Sequence, residues 1–233
     1  MFDSHGCLSL WNSLSDGLSL DKNAGIPAGG IPAGIFAEGC SYVVSLLREL
    51  NVGIAATDVA SRVHALEAHI IAFPTTTASP SRGGGVVTVQ QLLIYESTSP
   101  TRSSPSPSPK MSVKICIHHL LLTLNFVEKW CRELEKTDSL PKAVRLSYDE
   151  TLSSRHPFHL RLAVHALSHL LPSKKSLLQK LEGPSLPPHS FNSSSSRASV
   201  LSIEDRLAGF AVSVNRVRLV LEAFTIEKGL NIE

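Results

Sequence analysis

The chain has 233 residues, of which 42% are hydrophobic and 18% are charged, which suits one large globular domain or two small ones. Its formal net charge of +2, without any dense run of Lys and Arg, argues against a nucleic-acid-binding protein. The four cysteines form no CxxC pair and no Cys/His cluster with zinc spacing, so we expect free thiols in a reducing compartment.

Residues 1–34 are rich in Gly, Ser and Pro and contain GIPAGGIPAG, a short repeat with neither helical nor strand periodicity. We interpret this part as a flexible leader before a folded domain at 35–233. It lacks a charged region followed by an apolar one, so no secretory signal is predicted and a cytoplasmic protein is expected.

Two helices are predicted between Phe36 and Ile71, because apolar residues recur at spacings of three and four in both segments. In the second segment, Asp58 and Arg62 lie beside the apolar stripe and one turn apart. An Asp–Arg pair at this spacing is usually a surface ion pair worth about 0.2–0.5 kcal/mol. The spacing alone therefore does not distinguish a binding site from a surface ion pair.

Three segments have a low complexity that cannot bury a core, at about 74–85, 97–111 and 183–199. The piece between the first two, residues 86–96, is rich in β-branched residues and fits a strand as well as a helix. We therefore interpret the three segments as inserts in the folded domain and leave the structure of residues 86–96 open.

Strong helical periodicity returns at 113–135 and continues in shorter segments at 142–154, 156–171 and 174–181. A final helix follows a capping-box-like start and stops at a glycine. No convincing series of strands accompanies these helices, so the fold class is predicted to be all-α. Such amphipathic helices either pack shut or leave an apolar cleft between two layers.

The chain lacks the motifs of common enzyme classes, since it has no GxSxG, P-loop, HExxH or dinucleotide fingerprint. His165 and His169 lie four residues apart, as two metal ligands on a helix can, but no nearby Cys or carboxylate in the sequence completes a set. We therefore expect a non-enzymatic protein without a metal site or a cofactor.

The segment SYDETLSSRHPFHLRLAVHALSHLLPSKKSLLQKL at 147–181 has Tyr148 and His156 eight residues apart, an aromatic residue two positions later, and a helix that ends at Pro172. This block resembles the corresponding block of the glycolipid transfer protein superfamily. With the supporting resemblance to other helices of that superfamily, the match covers roughly residues 36–73, 86–96 and 113–233. Carriers of ceramide-1-phosphate, including the plant accelerated-cell-death type, are the most similar group.

The resemblance implies a two-layer helical sandwich that encloses an apolar pocket and carries a sphingolipid between membranes. It also implies that Asp58 accepts a hydrogen bond from the N–H of the lipid amide, and that His156 donates one to the amide carbonyl. The lipid chains would fill a pocket formed by apolar helix faces. The candidate pocket residues are Phe36, Val43, Leu47, Leu124, Phe158, Leu162 and Phe210.

The headgroup implied by the resemblance depends on the residue four positions after the aspartate, which is Arg62 here. A basic residue there is typical of ceramide-1-phosphate carriers, whereas neutral glycolipid carriers have Asn. Where phosphate carriers have two arginines on their fourth helix, this chain has Ile115 and His119, with Lys114 beside the first. Ceramide-1-phosphate is thus the favoured cargo, with Lys114 and His119 as further headgroup candidates.

Two alternatives stay open because of the missing arginines. The chain could be a carrier of neutral glycosphingolipids, or a lipid sensor or scaffold that has a degraded headgroup site and acts through protein partners. In the leading interpretation, the protein is a cytoplasmic monomer. Its partners are then one sphingolipid and a membrane surface, which it contacts peripherally and transiently, but not nucleic acid.

Overall fold

The computed structural model describes residues 4–16, 18, 30–74, 86–98, 111–182 and 202–230, most of which are helical. The α-helices of this part of the chain are α1 Ser4–Asp16, α2 Ala33–Glu49, α3 Gly53–Ala72, α4 Val89–Thr98, α5 Val113–Lys136, α6 Leu140–Thr151, α7 Phe158–Ser168, α8 Lys174–Glu182 and α9 Ile203–Glu227. A 3-10 turn at Ser153–Arg155 connects α6 to α7. The all-α prediction is therefore confirmed.

The helices pack as a sandwich in which α5 is central. Helix α5 contacts α3, α6 and α9, while α2 packs on α3, and α1 packs on α9 and α2. The core lies between these helices, and its fully buried members on α5 include Leu120, Leu124 and Trp130. Burial of apolar side chains on several faces of α5 is what holds the layers together.

Helix α5 starts at a well-capped N-terminus that also fixes the end of α4. The Ser112 hydroxyl accepts a hydrogen bond from the Ile115 N–H at 3.1 Å. The two carboxylate oxygens of Glu96 accept from the N–H groups of Val113 at 2.7 Å and Lys114 at 2.9 Å. A carboxylate at this end of a helix also interacts favourably with the helix dipole, so Glu96 anchors α4 to α5.

Helix α9 begins and ends as its sequence predicts. The Ser202 hydroxyl accepts from the Asp205 N–H, and the Asp205 carboxylate accepts from the Ser202 N–H, which completes a capping box. Beyond the helix, Gly229 adopts a φ of 62°, a left-handed conformation that glycine adopts without steric cost.

Residues 4–16 are not a flexible leader, which corrects the sequence-based expectation. They form α1, whose Trp11 is 0% exposed and packs edge-on against Phe36 and Phe210, with ring centroids 6.4 and 6.0 Å apart. The indole N–H donates to the carbonyl of Gly39 at 3.3 Å, and a Cβ at Gly39 would lie 2.9 Å from the ring. The Ser-rich composition concealed an apolar stripe at helical spacing, formed by Cys7, Trp11 and Leu14.

Residues 30–34, the end of the predicted leader, also have a defined structure. They pair with the start of segment 86–96, which the sequence left open between strand and helix. The N–H of Val89 donates to the Ile31 carbonyl, and the N–H of Ala33 donates to the Val87 carbonyl, both at 2.8 Å. This pairing makes an isolated bridge at Thr88, after which the chain becomes helical as α4. Residues 86–96 thus contain both an extended start and a helix.

The predicted inserts lie mostly outside the described residues. Of 74–85 only Pro74 is described, and residues 97 and 98 of the second insert form the last turn of α4. Residue 111 is described, but 99–110 and the whole of 183–199 are outside the described part, as are 17 and 19–29 of the leader. The insert assignment of these residues stays a prediction.

Candidate functional site

The connection between α6 and α7 holds His156 beside a buried tyrosine. Helix α6 places Tyr148 in the interior, and its hydroxyl lies 2.8 Å from Nδ1 of His156. His156 itself has an extended backbone, because it is followed by Pro157, which is the N-cap residue of α7. When the tyrosine hydroxyl donates to Nδ1, the neutral ring carries its proton on Nε2. His156 is then a hydrogen-bond donor with a fixed ring orientation.

Helix α3 brings an aspartate and an arginine to the same site. Oδ1 of Asp58 lies 2.8 Å from Nη2 of Arg62, and the side chains are 57% and 16% exposed, respectively. Nη1 of Arg62 contacts the sulfur of Met111 at 3.2 Å, and its Nε is buried and has no hydrogen-bond partner among the described residues. A mostly buried guanidinium with an unused N–H retains capacity to donate to a ligand.

The electrostatics of His156 and His119 show that α3, α5 and the α6–α7 connection converge. Burial lowers the pKa of the His156 imidazole, and the negative charge of Asp58 partly opposes this. The pKa of the His119 imidazole is lowered first by burial and then by the Arg62 guanidinium, while Asp58 again raises it. Asp58, Arg62, His119 and His156 therefore share one electrostatic environment, although the first two are far from the others in sequence.

Lys114 lies at the edge of this environment. Its backbone N–H is capped by Glu96, and its positive charge contributes to lowering the pKa of the His118 imidazole. Ile115, the residue at the position of a family arginine, is 48% exposed on the first turn of α5. The structure thus brings four of the five predicted headgroup residues together and places the fifth, Lys114, next to His118.

Two polar residues of this region were missed in the sequence. Nη1 of Arg155 lies 3.2 Å from Nε2 of His118, so the end of the 3-10 turn contacts α5. The rings of His118 and His119 meet edge to face, with centroids 5.6 Å apart. A signal was present, since Arg155 directly precedes His156 and His118 directly precedes His119. Local sequence, however, does not show that the two pairs meet in space.

Five of the predicted pocket residues belong to the hydrophobic core. They are Phe36, Val43, Leu47, Leu124 and Phe210. Phe158 and Leu162, which we expected beside them, are instead 67% and 55% exposed on α7. They line an open groove of about 350 Å³ together with Asp149, Arg161 and His165. Helix α7 buries little of its apolar surface, because its main contact is with the single helix α6.

The described residues contain no group of three or more His, Cys, Asp and Glu residues arranged to hold a metal ion. None of the helices placed by the structure is both long and apolar enough to cross a membrane. Cys7, Cys40, Cys116 and Cys131 are all buried.

Comparison with known proteins gives one family and a consistent fold. The model of the family described as glycolipid transfer protein matches residues 31–183. The structure is similar to that of a mutant of Arabidopsis accelerated-cell-death 11 with bound C12 ceramide-1-phosphate, with a TM-score of 0.68 and 16% identity over 98% of this chain and 96% of the other. No curated protein sequence matches the chain significantly.

Two further solved structures share the fold. Human ceramide-1-phosphate transfer protein with bound 12:0 ceramide-1-phosphate has a TM-score of 0.62 and 16% identity, over 96% of each chain. The structure that describes how FAPP2 selects simple glycosphingolipids has a TM-score of 0.65 and 16% identity, over 95% of this chain and 97% of the other. At these identities, the likeness shows that this chain shares the helical sandwich with the three solved structures.

Proposed function

Because the chain belongs to the glycolipid transfer protein family, we propose that it carries sphingolipids between membranes and that ceramide-1-phosphate is its favoured cargo. The family consists of lipid transfer proteins rather than enzymes. The observation that carries the proposal is the convergence of Asp58 and His156 beside the mostly buried guanidinium of Arg62. A carboxylate acceptor, a ring N–H donor and a cation are the groups that a phosphorylated ceramide requires.

The amide of the lipid fits between Asp58 and His156. An amide has one N–H donor and one carbonyl acceptor, and these match a carboxylate oxygen and the Nε2–H of a neutral imidazole. The lowered pKa of His156 keeps that ring neutral near pH 7, while Tyr148 holds its orientation. Two directional contacts of this kind orient a ligand whose remaining surface is mostly apolar.

The phosphate of the lipid would bind at Arg62. Among the described residues, its Nη2 pairs with Asp58 and its Nη1 meets the sulfur of Met111, a weak acceptor, so the guanidinium keeps N–H groups for a further anion. Hydrogen bonds between a guanidinium and a phosphate are shorter and stronger than those between neutral groups. The ceramide-1-phosphate complexes of the Arabidopsis and human proteins with this fold support a phosphorylated cargo.

The hydrocarbon chains would enter the core between the two layers, next to Phe36, Val43, Leu47, Leu124 and Phe210. Burial of each methylene stabilises the complex by about 0.8 kcal/mol, so the chains supply most of the affinity. Loading therefore requires the apolar helix faces to separate, while the polar groups at the end of the cleft select the amide and headgroup.

The exposed face of α7 is the surface that we propose for transient, peripheral membrane contact by a monomer. Phe158 and Leu162 are exposed there, and Leu170, two residues after the helix, is 75% exposed. The guanidinium of Arg161 lies 5.9 Å from the centre of the Phe158 ring, so a cation accompanies the apolar side chains. Apolar side chains beside a cation suit the boundary between headgroups and acyl chains. Phe158 follows His156 by only two residues, so this surface adjoins the proposed amide site.

An intervesicle transfer assay tests the proposal with fluorescent ceramide-1-phosphate and galactosylceramide in parallel. Faster transfer of ceramide-1-phosphate is expected. Faster transfer of galactosylceramide would instead favour the neutral carrier, which the likeness to the glycosphingolipid-selecting structure and the residues Ile115 and His119 support. Failure to move either lipid would overturn the carrier, and stable binding without transfer would favour a sensor or scaffold.

A further inference from the structure

Arg155 offers a second guanidinium at the site where α5 lacks arginines. We propose, on the basis of the function above, that Arg155 binds the lipid phosphate together with Arg62, and that His118 is the positioning residue that holds Arg155. The cation that selects a phosphorylated lipid then comes from the α6–α7 connection rather than from the first turns of α5. This assignment adds a specificity-determining residue that directly precedes the amide-binding His156.

His118 fixes one corner of the Arg155 side chain. Nη1 of Arg155 lies 3.2 Å from Nε2 of His118, so the guanidinium donates to the lone pair of a neutral imidazole. A guanidinium has five N–H donors in a planar fork, and this contact uses one of them. Within the described part of the chain, the rest of the fork has no competing hydrogen-bond partner and can make two parallel hydrogen bonds to phosphate oxygens, an arrangement that Lys cannot reproduce.

Arg155 also lies close enough to the predicted headgroup residues to act electrostatically on them. Its positive charge lowers the pKa of the His118 imidazole and, with Arg62, that of the His119 imidazole. Asp58 is the carboxylate that opposes these cations at His119. The Glu96 carboxylate at the start of α5 accepts hydrogen bonds from the backbone N–H groups of Val113 and Lys114.

Two cations from different parts of the fold act on the histidine pair of α5. Arg62 comes from α3 and Arg155 from the α6–α7 connection, and both lower the pKa of the His119 imidazole. An anion bound beside the histidine pair would therefore interact with both guanidiniums. A neutral sugar headgroup has no charge to use this field, so Arg155 acts on selectivity for phosphate rather than on binding of the lipid chains.

The test measures binding of ceramide-1-phosphate and of ceramide with the same chains, using vesicles that contain each lipid and the full-length protein. Arg155→Gln is expected to lower the binding of ceramide-1-phosphate about tenfold or more and to leave that of ceramide unchanged. Arg155→Lys should retain part of the preference. Arg145→Gln removes the same charge from an exposed position on α6 and is the matched control.

His118→Gln tests the positioning role through the same ratio of phosphorylated to unphosphorylated lipid. If His118 holds Arg155 in place, its loss lowers the ratio several-fold. A merely structural defect would instead weaken the binding of both lipids equally. An unchanged ratio in Arg155→Gln would overturn the inference while leaving the carrier intact. Equal binding of both lipids by the wild-type protein would also overturn the inference and leave the carrier intact. If the wild-type protein binds neither lipid, the proposed function and this inference both fail.

Discussion

Trp11 and His156 differ in whether the polar atoms of their rings are all hydrogen-bonded within the protein. Trp11 is fully buried, its edges contact Phe36 and Phe210, and its single N–H is satisfied by the carbonyl of Gly39. His156 is only partly buried, and Tyr148 uses one of its two ring nitrogens. The first arrangement is complete without a ligand, whereas the second keeps a polar atom available.

Substitutions in these two environments should therefore separate effects on stability from effects on lipid transfer. Around Trp11, the side chains contribute apolar burial and little else, so changes there should affect folding. Around His156, the contacts are made partly by solvated polar groups, which contribute less to folding. Changes there should alter lipid handling more than unfolding.

Trp11→Ala is expected to have the largest effect on stability. Removing a fully buried indole from between α1, α2 and α9 leaves a cavity and should lower the free energy of unfolding by about 3–5 kcal/mol. Urea denaturation followed by circular dichroism measures the change. Leu170→Ala, which truncates an exposed side chain, is the control and should cost far less. Equal stability of the two variants would show that the burial of Trp11 does not stabilise the fold.

Asp58→Val is expected to have the largest effect on transfer. It removes the proposed acceptor for the lipid amide, so the rate of ceramide-1-phosphate transfer should fall by about tenfold to a hundredfold. The free energy of unfolding should change by less than about 1 kcal/mol, because the pair with Arg62 is more than half exposed at Asp58. Glu67→Val alters an exposed ion pair with His64 on the same helix and provides the control. Wild-type transfer by Asp58→Val would show that the carboxylate is only a surface partner of Arg62.

Tyr148→Phe tests whether the orientation of His156 matters. The substitution removes only the hydroxyl that lies 2.8 Å from Nδ1, so the fold should lose at most about 1.5 kcal/mol. Transfer should fall several-fold, because the imidazole is then free to rotate and to exchange the proton between its two nitrogens. Tyr95→Phe removes a hydroxyl from an exposed tyrosine on α4 and should leave the rate unchanged. A similar loss in both variants would argue against an oriented histidine.

Acidification should have the smallest effect on stability, and the direction of that effect follows from the pKa values of three histidines. The pKa values of His118, His119 and His156 all lie below the ordinary value of 6.5 in the folded protein, chiefly because of burial. As the pH falls through 6.5, the unfolded chain binds protons that the folded protein does not yet bind, so the lipid-free protein loses stability. Thermal unfolding between pH 7.5 and 5.5 measures this slope.

The His118→Gln/His119→Gln double variant should show a weaker dependence of stability on pH than the wild type. His159→Gln is the control, because His159 is an exposed residue on α7. The effect is small because the three site histidines are partly solvated, which reduces the cost of charging them. Steeper destabilisation in the double variant would contradict the assignment of the slope to these rings.

Much of the helical framework could be predicted from local sequence. The capping box of Ser202 and Asp205 and the stop at Gly229 depend on residues next to the helix ends, and both are confirmed. The one-turn spacing of Asp58 and Arg62 likewise placed them on one side of α3. Helix α1 was missed, because the burial of Trp11 depends on Phe36 and Phe210, which are distant in sequence.

The all-α class, most helix positions and the residues that resemble a lipid site follow from local sequence, because helical periodicity and capping are short-range properties of the chain. The contact between Arg155 and His118 and the exposure of Phe158 depend instead on how distant helices pack. An apolar stripe shows that a helix has a face to bury, but the packing of distant helices determines what covers it. The same holds for a charged side chain, whose partner depends on which helices cross nearby.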